Sequence, residues 1–212
     1  MYMPPQFRSE DPAIAARLMR EHPLATLMSV DDDGLPYITH LPLHLERDET
    51  RDGPAQFTLL GHLAKPNPHA RFLRARPRAR VSFLGPHAYL SPKVYPDLQR
   101  VPSWNYLAVT CVVEATFLDE HAPKDRLLKA LIGDHEPPYA DQWRTLPEDY
   151  THKMLQGIVA FELRVTDWQC KLKINQHRPE CHEALHAAYA AGNELQQALA
   201  RWMETLGMVP KA

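Results

Sequence analysis

Apolar positions along this chain repeat with two periods, and the switches between them outline the elements. AIAARLMREH (13–22) sets Ile14, Leu18 and Met19 on one helical face; Ser9 or Asp11 can cap it, Pro12 falls in its first turn and Pro23 stops it. LATLMSV (24–30) predicts a strand, DDDG (31–34) a tight turn and LPYITHLPLHL (35–45) its hairpin partner. A polar insert, ERDETRDGPA (46–55), leads to a third strand, QFTLLGHL (56–63). A short helix near 68–75 gives way at Pro77 to a fourth strand, ARVSFLG (79–85). HAYLSP (87–92) predicts a short strand entering a loop that runs through KVYPDLQRVPSWNY. LAVTCVVEATFLD (107–119) is β-branched and strongly strand-like, PKDRLLKALIGDHE (123–136) is an amphipathic helix, and 154–174 contains another long strand. From Pro179 to Leu206 the pattern is two helices broken near Gly192-Asn193.

Long strands joined by hairpins favour an antiparallel barrel over a parallel sheet. The expected class is α+β, mainly β, with peripheral helices and a helical C-terminus. Neither GxGxxG nor GxxxxGK[ST] occurs, so a Rossmann or P-loop nucleotide site has no support.

With 212 residues, 44% of them hydrophobic, the chain can build one sizeable core. Charge is nearly balanced, 24 Lys+Arg against 26 Asp+Glu, which gives no global argument for nucleic acid or a membrane surface. No apolar run reaches the roughly 18 residues of a membrane span, and MYMPPQFRSED lacks the basic and apolar regions of a signal peptide. Three cysteines, Cys111, Cys170 and Cys181, form no CxxC, so a reducing cytoplasm is the expected location.

Three segments carry candidate chemistry. GHLAKPNPH (61–69) packs His62, Lys65, Asn67 and His69 into the turn between a strand and a helix. Helix-start N–H groups with Lys and His side chains would make a phosphate cradle, stiffened by Pro66 and Pro68; a solvated turn is the alternative. VPSWNY (101–106) puts Trp104 and Tyr106 on one face of an extended chain, with Asn105 between them. They could wall a planar ligand, or Trp104 could simply anchor the loop in the core. HEALH (182–186) fits HExxH, with His182 and His186 one turn apart, Glu183 as base and downstream Glu204 for a third ligand. Chance alone gives such a match in about one chain in twenty-five of this His and Glu content, and no metal site is expected. Separately, Arg71, Arg74, Arg76, Arg78 and Arg80 cluster in ARFLRARPRARV, where the last three alternate and could meet phosphates of DNA or of a cofactor. No helix-turn-helix is expected, because neither 123–136 nor 179–190 is followed closely by a second helix across a recognisable short turn.

MYMPPQF, HPLATLMS, THLPLHL, GHLAKPNPH, FLGPHAYLSP, VPSWNYLAV, GIVAFEL and KLKINQHR occur here in an order that resembles the PaiB-type family of FMN-binding negative transcriptional regulators. The resemblance spans nearly the whole chain. It implies an FMN-binding split β-barrel over 1–178, similar to pyridoxamine-phosphate oxidases and flavin reductases, with 179–212 as a C-terminal helical extension packed on the same domain. It further implies a homodimer with FMN at the interface. His62, Lys65 and Asn67 become phosphate-side candidates, and Thr39 and His40 would face the flavin. Ser91, Trp104 and Asn105 would approach from the long loop, and Lys173 and Gln176 survive from the last block. That block departs from the family's Ser-Gln-Asn-Arg run, reading Asn175-Gln176-His177-Arg178, and Val94 stands where the family has Trp.

Two functions follow as expectations. One is a flavin-dependent reductase or oxidase drawing on NAD(P)H or another donor, with no residue singled out as catalytic acid or base. The other is a regulator acting through DNA or a partner. Haem binding, known among split-barrel relatives, is a remote third, since none of the 12 His is singled out as an axial ligand.

Overall fold

The computed structural model describes residues 1–48, 56–97 and 99–210; part of the polar insert, 49–55, lies outside them. The strands are β1 (Arg8–Ser9), β2 (Leu24–Val30), β3 (Pro36–Pro42), β4 (His44–Asp48), β5 (Gln56–Ala64), β6 (Arg78–Leu90), β7 (Ser103–Leu118) and β8 (Ile158–Lys173). The helices are α1 (Pro12–Glu21), α2 (His69–Ala75), α3 (His121–His135), α4 (Tyr139–Thr145), α5 (Glu148–Gln156), α6 (His182–Ala190) and α7 (Glu194–Thr205). The strand path is β3-β2-β6-β7-β8-β5-β4, with β1 added on β8, and it is open at β3 and β4. Every pairing of defined register is antiparallel. This is the expected α+β, mainly β, antiparallel class.

The chain divides into two compact units. Unit 2 comprises 19–83 and 110–168. Its hairpin β2–β3 turns at 31–34, where Gly34 has φ +80° and Asp31 Oδ1 accepts from the N–H of Asp33 and of Leu35. The expected strand 35–45 is interrupted at Leu43, whose side chain is buried and whose N–H turns to Pro23 O at 3.0 Å. Alternation decides which faces pack: Ala25 and Leu27 of β2 are buried, while Leu24 and Val30 are exposed. α3 lays Leu127 and Leu131 against Leu60 and Ala160. α4 and α5 were not foreseen, because 137–156 is Pro-broken and polar. Trp143 Nε1 donates to Asp125 Oδ1 at 3.0 Å, and Lys124 Nζ donates to Leu155 O at 3.5 Å; these two bonds tie the pair of helices into the unit.

Unit 1 comprises 1–18, 84–109 and 169–212. Gly85-Pro86 reads as a break in the sequence, yet both residues stay extended, so 79–85 and 87–90 belong to one strand of 13 residues. Likewise Ser103–Tyr106, expected in a loop, opens β7. Asn193 caps α7 in a reciprocal capping box with Gln196. Only 191–193 separate α6 from α7, at the expected break near Gly192-Asn193, so the short connection that the sequence reading denied after 179–190 is present. The buried residues of α7 are Leu199, Ala200, Trp202 and Met203, and its exposed side carries Glu194, Leu195, Gln197 and Arg201, which is no basic recognition face.

Candidate flavin and anion sites

In unit 2 the turn after β5 is built by Asn67. Its Oδ1 accepts from His69 N at 3.0 Å, and its Nδ2 donates to Thr39 Oγ1 at 3.4 Å. Thr39 Oγ1 also meets His69 Nδ1 at 2.8 Å, so strand, turn and helix are joined through one hydroxyl. His69 is fully buried and packs edge-on to Tyr37 at 5.0 Å. Burial pushes its pKa down to about 4, so the imidazole is neutral at pH 7. Among the described residues its Nε2 has no hydrogen-bond partner, and neither does the buried Nδ1 of His62, whose pKa burial also lowers. Lys65 is exposed at the tip of the turn with no carboxylate partner among the described residues.

The expected backbone cradle is corrected. The N–H groups of Lys65, Asn67, Ala70, Arg71 and Phe72 are bonded to Gly157 O, Ala64 O, Asn67 O, Pro68 O and Pro68 O, and that of His69 to the Asn67 side chain. Pro66 and Pro68 have none to offer. Only side chains can meet a phosphate here. Gly61 is required by packing: a Cβ there would run into Leu43, with Leu41 and Phe161 at 3.3 Å.

Thr39 and His40 are neighbours on β3 and so point to opposite faces of it. Thr39 joins the turn, whereas exposed His40 meets Thr26 Oγ1 at 3.0 Å through Nδ1. That second face also carries Met28, Val30 and Pro36, with Arg78 and Arg80, around a cavity of about 420 Å³. The arginine cluster is otherwise committed. Asp32 pairs with Arg71 at 2.5 Å and Arg76 at 3.1 Å, and Arg74 pairs with Asp119. The three alternating arginines therefore do not share one face, since Arg76 turns to Asp32 and to Val30 O.

In unit 1, Asn105 and Lys173 line one cavity, also of about 420 Å³. Ser91, Trp104 and Gln176 do not line it. Ser91 Oγ accepts from Lys93 N and caps a 3-10 turn. Half-exposed Trp104 donates from Nε1 to His87 Nδ1 at 3.3 Å and lies near Tyr89. Gln176 spends its amide on the backbone of Ile174 and Leu172, holding its own loop. The HEALH residues also have structural partners. His182 faces Met208 O and Asn175 O, and His186 meets Glu204 at 2.8 Å. No group of metal-ligating side chains occurs among the described residues. Cys111, Cys170 and Cys181 are buried, and no disulfide occurs among the described residues.

The antiparallel sheet of this strand order has the fold of the split-barrel class. Residues 1–167 match the family described as "Putative FMN-binding domain". The protease synthase and sporulation protein PAI 2 of Bacillus subtilis is 31% identical over 185 residues, covering 85% of this chain and 84% of that protein. Among solved structures, the FAD and heme binding protein from Mycobacterium smegmatis shares the fold with a TM-score of 0.59 at 22% identity, over 78% of this chain and 73% of that one. The flavocytochrome Anf3 from Azotobacter vinelandii does so at 0.58 and 15%, over 79% and 69%. The chain belongs to the PaiB-type FMN-binding family. Among the described residues, no helix is long and apolar enough to cross a membrane.

Proposed function

We propose that this protein holds FMN with its phosphate at the 65–69 turn and works as a flavin-dependent oxidoreductase. The observation that carries this is the Thr39–His69–Asn67 network beside an uncompensated Lys65. A dianionic phosphate suits an exposed ammonium on a stiff, pre-ordered turn. His62 has an unused ring nitrogen on the strand leading in. Asn67 and His69 position Thr39 and the turn, and neutral His69 adds no charge. When bound, the flavin supplies the redox chemistry, and the protein supplies orientation and electrostatics. NAD(P)H is the proposed donor class and the cytoplasm the proposed location.

A homodimer is part of the same reading. Leu24, Val30 and Ile38 stand 67%, 43% and 52% exposed on β2 and β3, an apolar row suited to a second copy. A regulatory role through direct DNA contact draws less support, because Arg71, Arg74 and Arg76 are each paired with a carboxylate. The test is FMN titration of dialysed protein, read by flavin absorbance and fluorescence quenching, followed by NAD(P)H addition under anaerobic conditions. Saturable binding followed by bleaching supports the reading. Failure to retain flavin sinks it, and retained flavin that no nicotinamide reduces removes the enzyme half.

A further inference from the structure

We propose that Tyr189, on α6, is a positioning residue for the flavin: it turns the Asn105 carboxamide so that its oxygen faces the unit 1 cavity, which then selects a ligand N–H. In the oxidised flavin ring that N–H is N3–H alone. The inference rests on the FMN reading above and adds to it the ring edge that is recognised and the residue that sets the recognition. Tyr189 lies outside residues 1–167, the stretch that matches the FMN-binding family.

A carbonyl fixes the polarity. Tyr89 O, a backbone oxygen on β6, can only accept, and Tyr189 Oη donates to it at 3.3 Å. A phenol has one proton, so Tyr189 Oη must accept at its other contact, 3.0 Å from the Asn105 side chain on β7. The atom that meets it is therefore the Asn105 amide nitrogen, as donor. Burial pushes the Tyr189 pKa up to about 12, so the phenol keeps its proton at neutral pH. Asn105 and Tyr189 are both buried, and neither is free to turn to bulk water. With the nitrogen spent on Tyr189, the oxygen is what the carboxamide offers to the cavity that Asn105 lines. Among the described residues nothing donates to that oxygen. A buried acceptor without a donor is unfavourable, and a ligand N–H relieves it.

The cationic side chains of the lining have the opposite polarity. Lys173 has three N–H groups and spends two, on Ser103 Oγ at 2.7 Å and on Trp104 O. Among the described residues Arg178 has one long pairing, to Glu180 at 3.9 Å. No carboxylate lines the cavity. An acceptor accompanied by donors complements an imide edge, in which a single N–H sits between two carbonyl oxygens. The pyrimidine end of an oxidised flavin has this edge, N3–H between O2 and O4. Its N1 and N5 are acceptors and would be repelled by Asn105 Oδ1. The Tyr95 ring, also in the lining, suits a flat ligand.

The test compares the affinity of the dialysed full chain for FMN and for N3-methyl-FMN, which keeps the phosphate and both carbonyls but has no ring N–H to give. Fluorescence quenching is read for wild type, Tyr189→Phe, Asn105→Ala and Lys65→Ala. Wild type should bind FMN about thirtyfold more tightly than the derivative. Tyr189→Phe frees the amide to turn, and the ratio should fall to about threefold. Asn105→Ala removes the acceptor and makes room for the methyl group, and should bring the ratio near one. Lys65→Ala should weaken both ligands alike and leave the ratio as in wild type. A residue that only supported the fold would lower both affinities together, so the ratio reads the polarity itself. If Tyr189→Phe does not fold, Tyr189→Met, which removes the phenol without adding bulk, takes its place. Equal affinity for the two ligands in wild type, or a ratio that the loss of the phenol leaves unchanged, overturns the inference and leaves FMN binding standing. No retained FMN in wild type overturns both.

Discussion

The turn 61–69 and the turn 173–178 are both short, polar and rich in donors, yet they spend those donors differently. In the first, Asn67, Thr39 and the backbone satisfy one another, leaving Lys65 projecting from a pre-ordered frame. In the second, the amides of Asn175 and Gln176 hold the loop, leaving Lys173 and Arg178 around a cavity without acids. In both, neutral hydrogen bonds set the shape, and a lysine is left without a carboxylate partner among the described residues. The difference is burial. Lys65 stands in water, where a charge is cheap, whereas Lys173 is part-buried and pushed toward its neutral form.

The largest expected effects separate the frame from the ligand group. Gly61→Val should lower stability by about 3 kcal/mol in denaturant unfolding, because its side chain must displace Leu43 and crowd Phe161. An unchanged midpoint would mean that β5 packs loosely enough to admit the added side chain. Next is pH. The folded-state pKa of His69, about 4, lies below its unfolded value of 6.5. The unfolded chain therefore binds the extra proton first. Stability contributed by neutral His69 is complete above pH 6.5 and is lost as pH falls toward 4, by on the order of 3 kcal/mol. His22, His62 and His177 are shifted in the same direction, so the slope belongs to the set, and His69→Gln should flatten it. An equal slope in that variant would take His69 out of the frame.

On the other turn, Asn175→Ala should cost about 2 kcal/mol, from left-handed strain plus two lost hydrogen bonds. Asn175→Gly should cost less, since glycine accepts that φ. If the two variants melt together, conformation is not what Asn175 provides.

Much of the fold was legible in the sequence because alternation survives in strands with one buried face, as in β2 and β5. The joins were not. Gly85-Pro86 reads as a stop but stays extended, and Leu43 splits a continuous apolar run because its N–H is claimed by Pro23. α4 and α5 carry few buried residues and so leave weak periodicity. At the turn, sequence spacing picked out the residue types but could not foresee that every backbone donor would be used internally. In unit 1 it named Asn105 and Lys173 but not their shared cavity. Arg100, Tyr95 and Arg178 are scattered over some 80 positions of the chain, and the one local cue was Asn within a strand-ending block, a residue that tolerates positive φ.

Lys65 and its Thr39–His69–Asn67 frame are the proposed holders of the flavin phosphate. The most direct measurement is FMN affinity by fluorescence quenching for wild type and Lys65→Ala, with riboflavin, which lacks the phosphate, as second ligand. Lys65→Ala is expected to weaken FMN about tenfold while leaving riboflavin nearly unchanged. Equal FMN affinity in wild type and Lys65→Ala, or an equal loss for riboflavin, would contradict it.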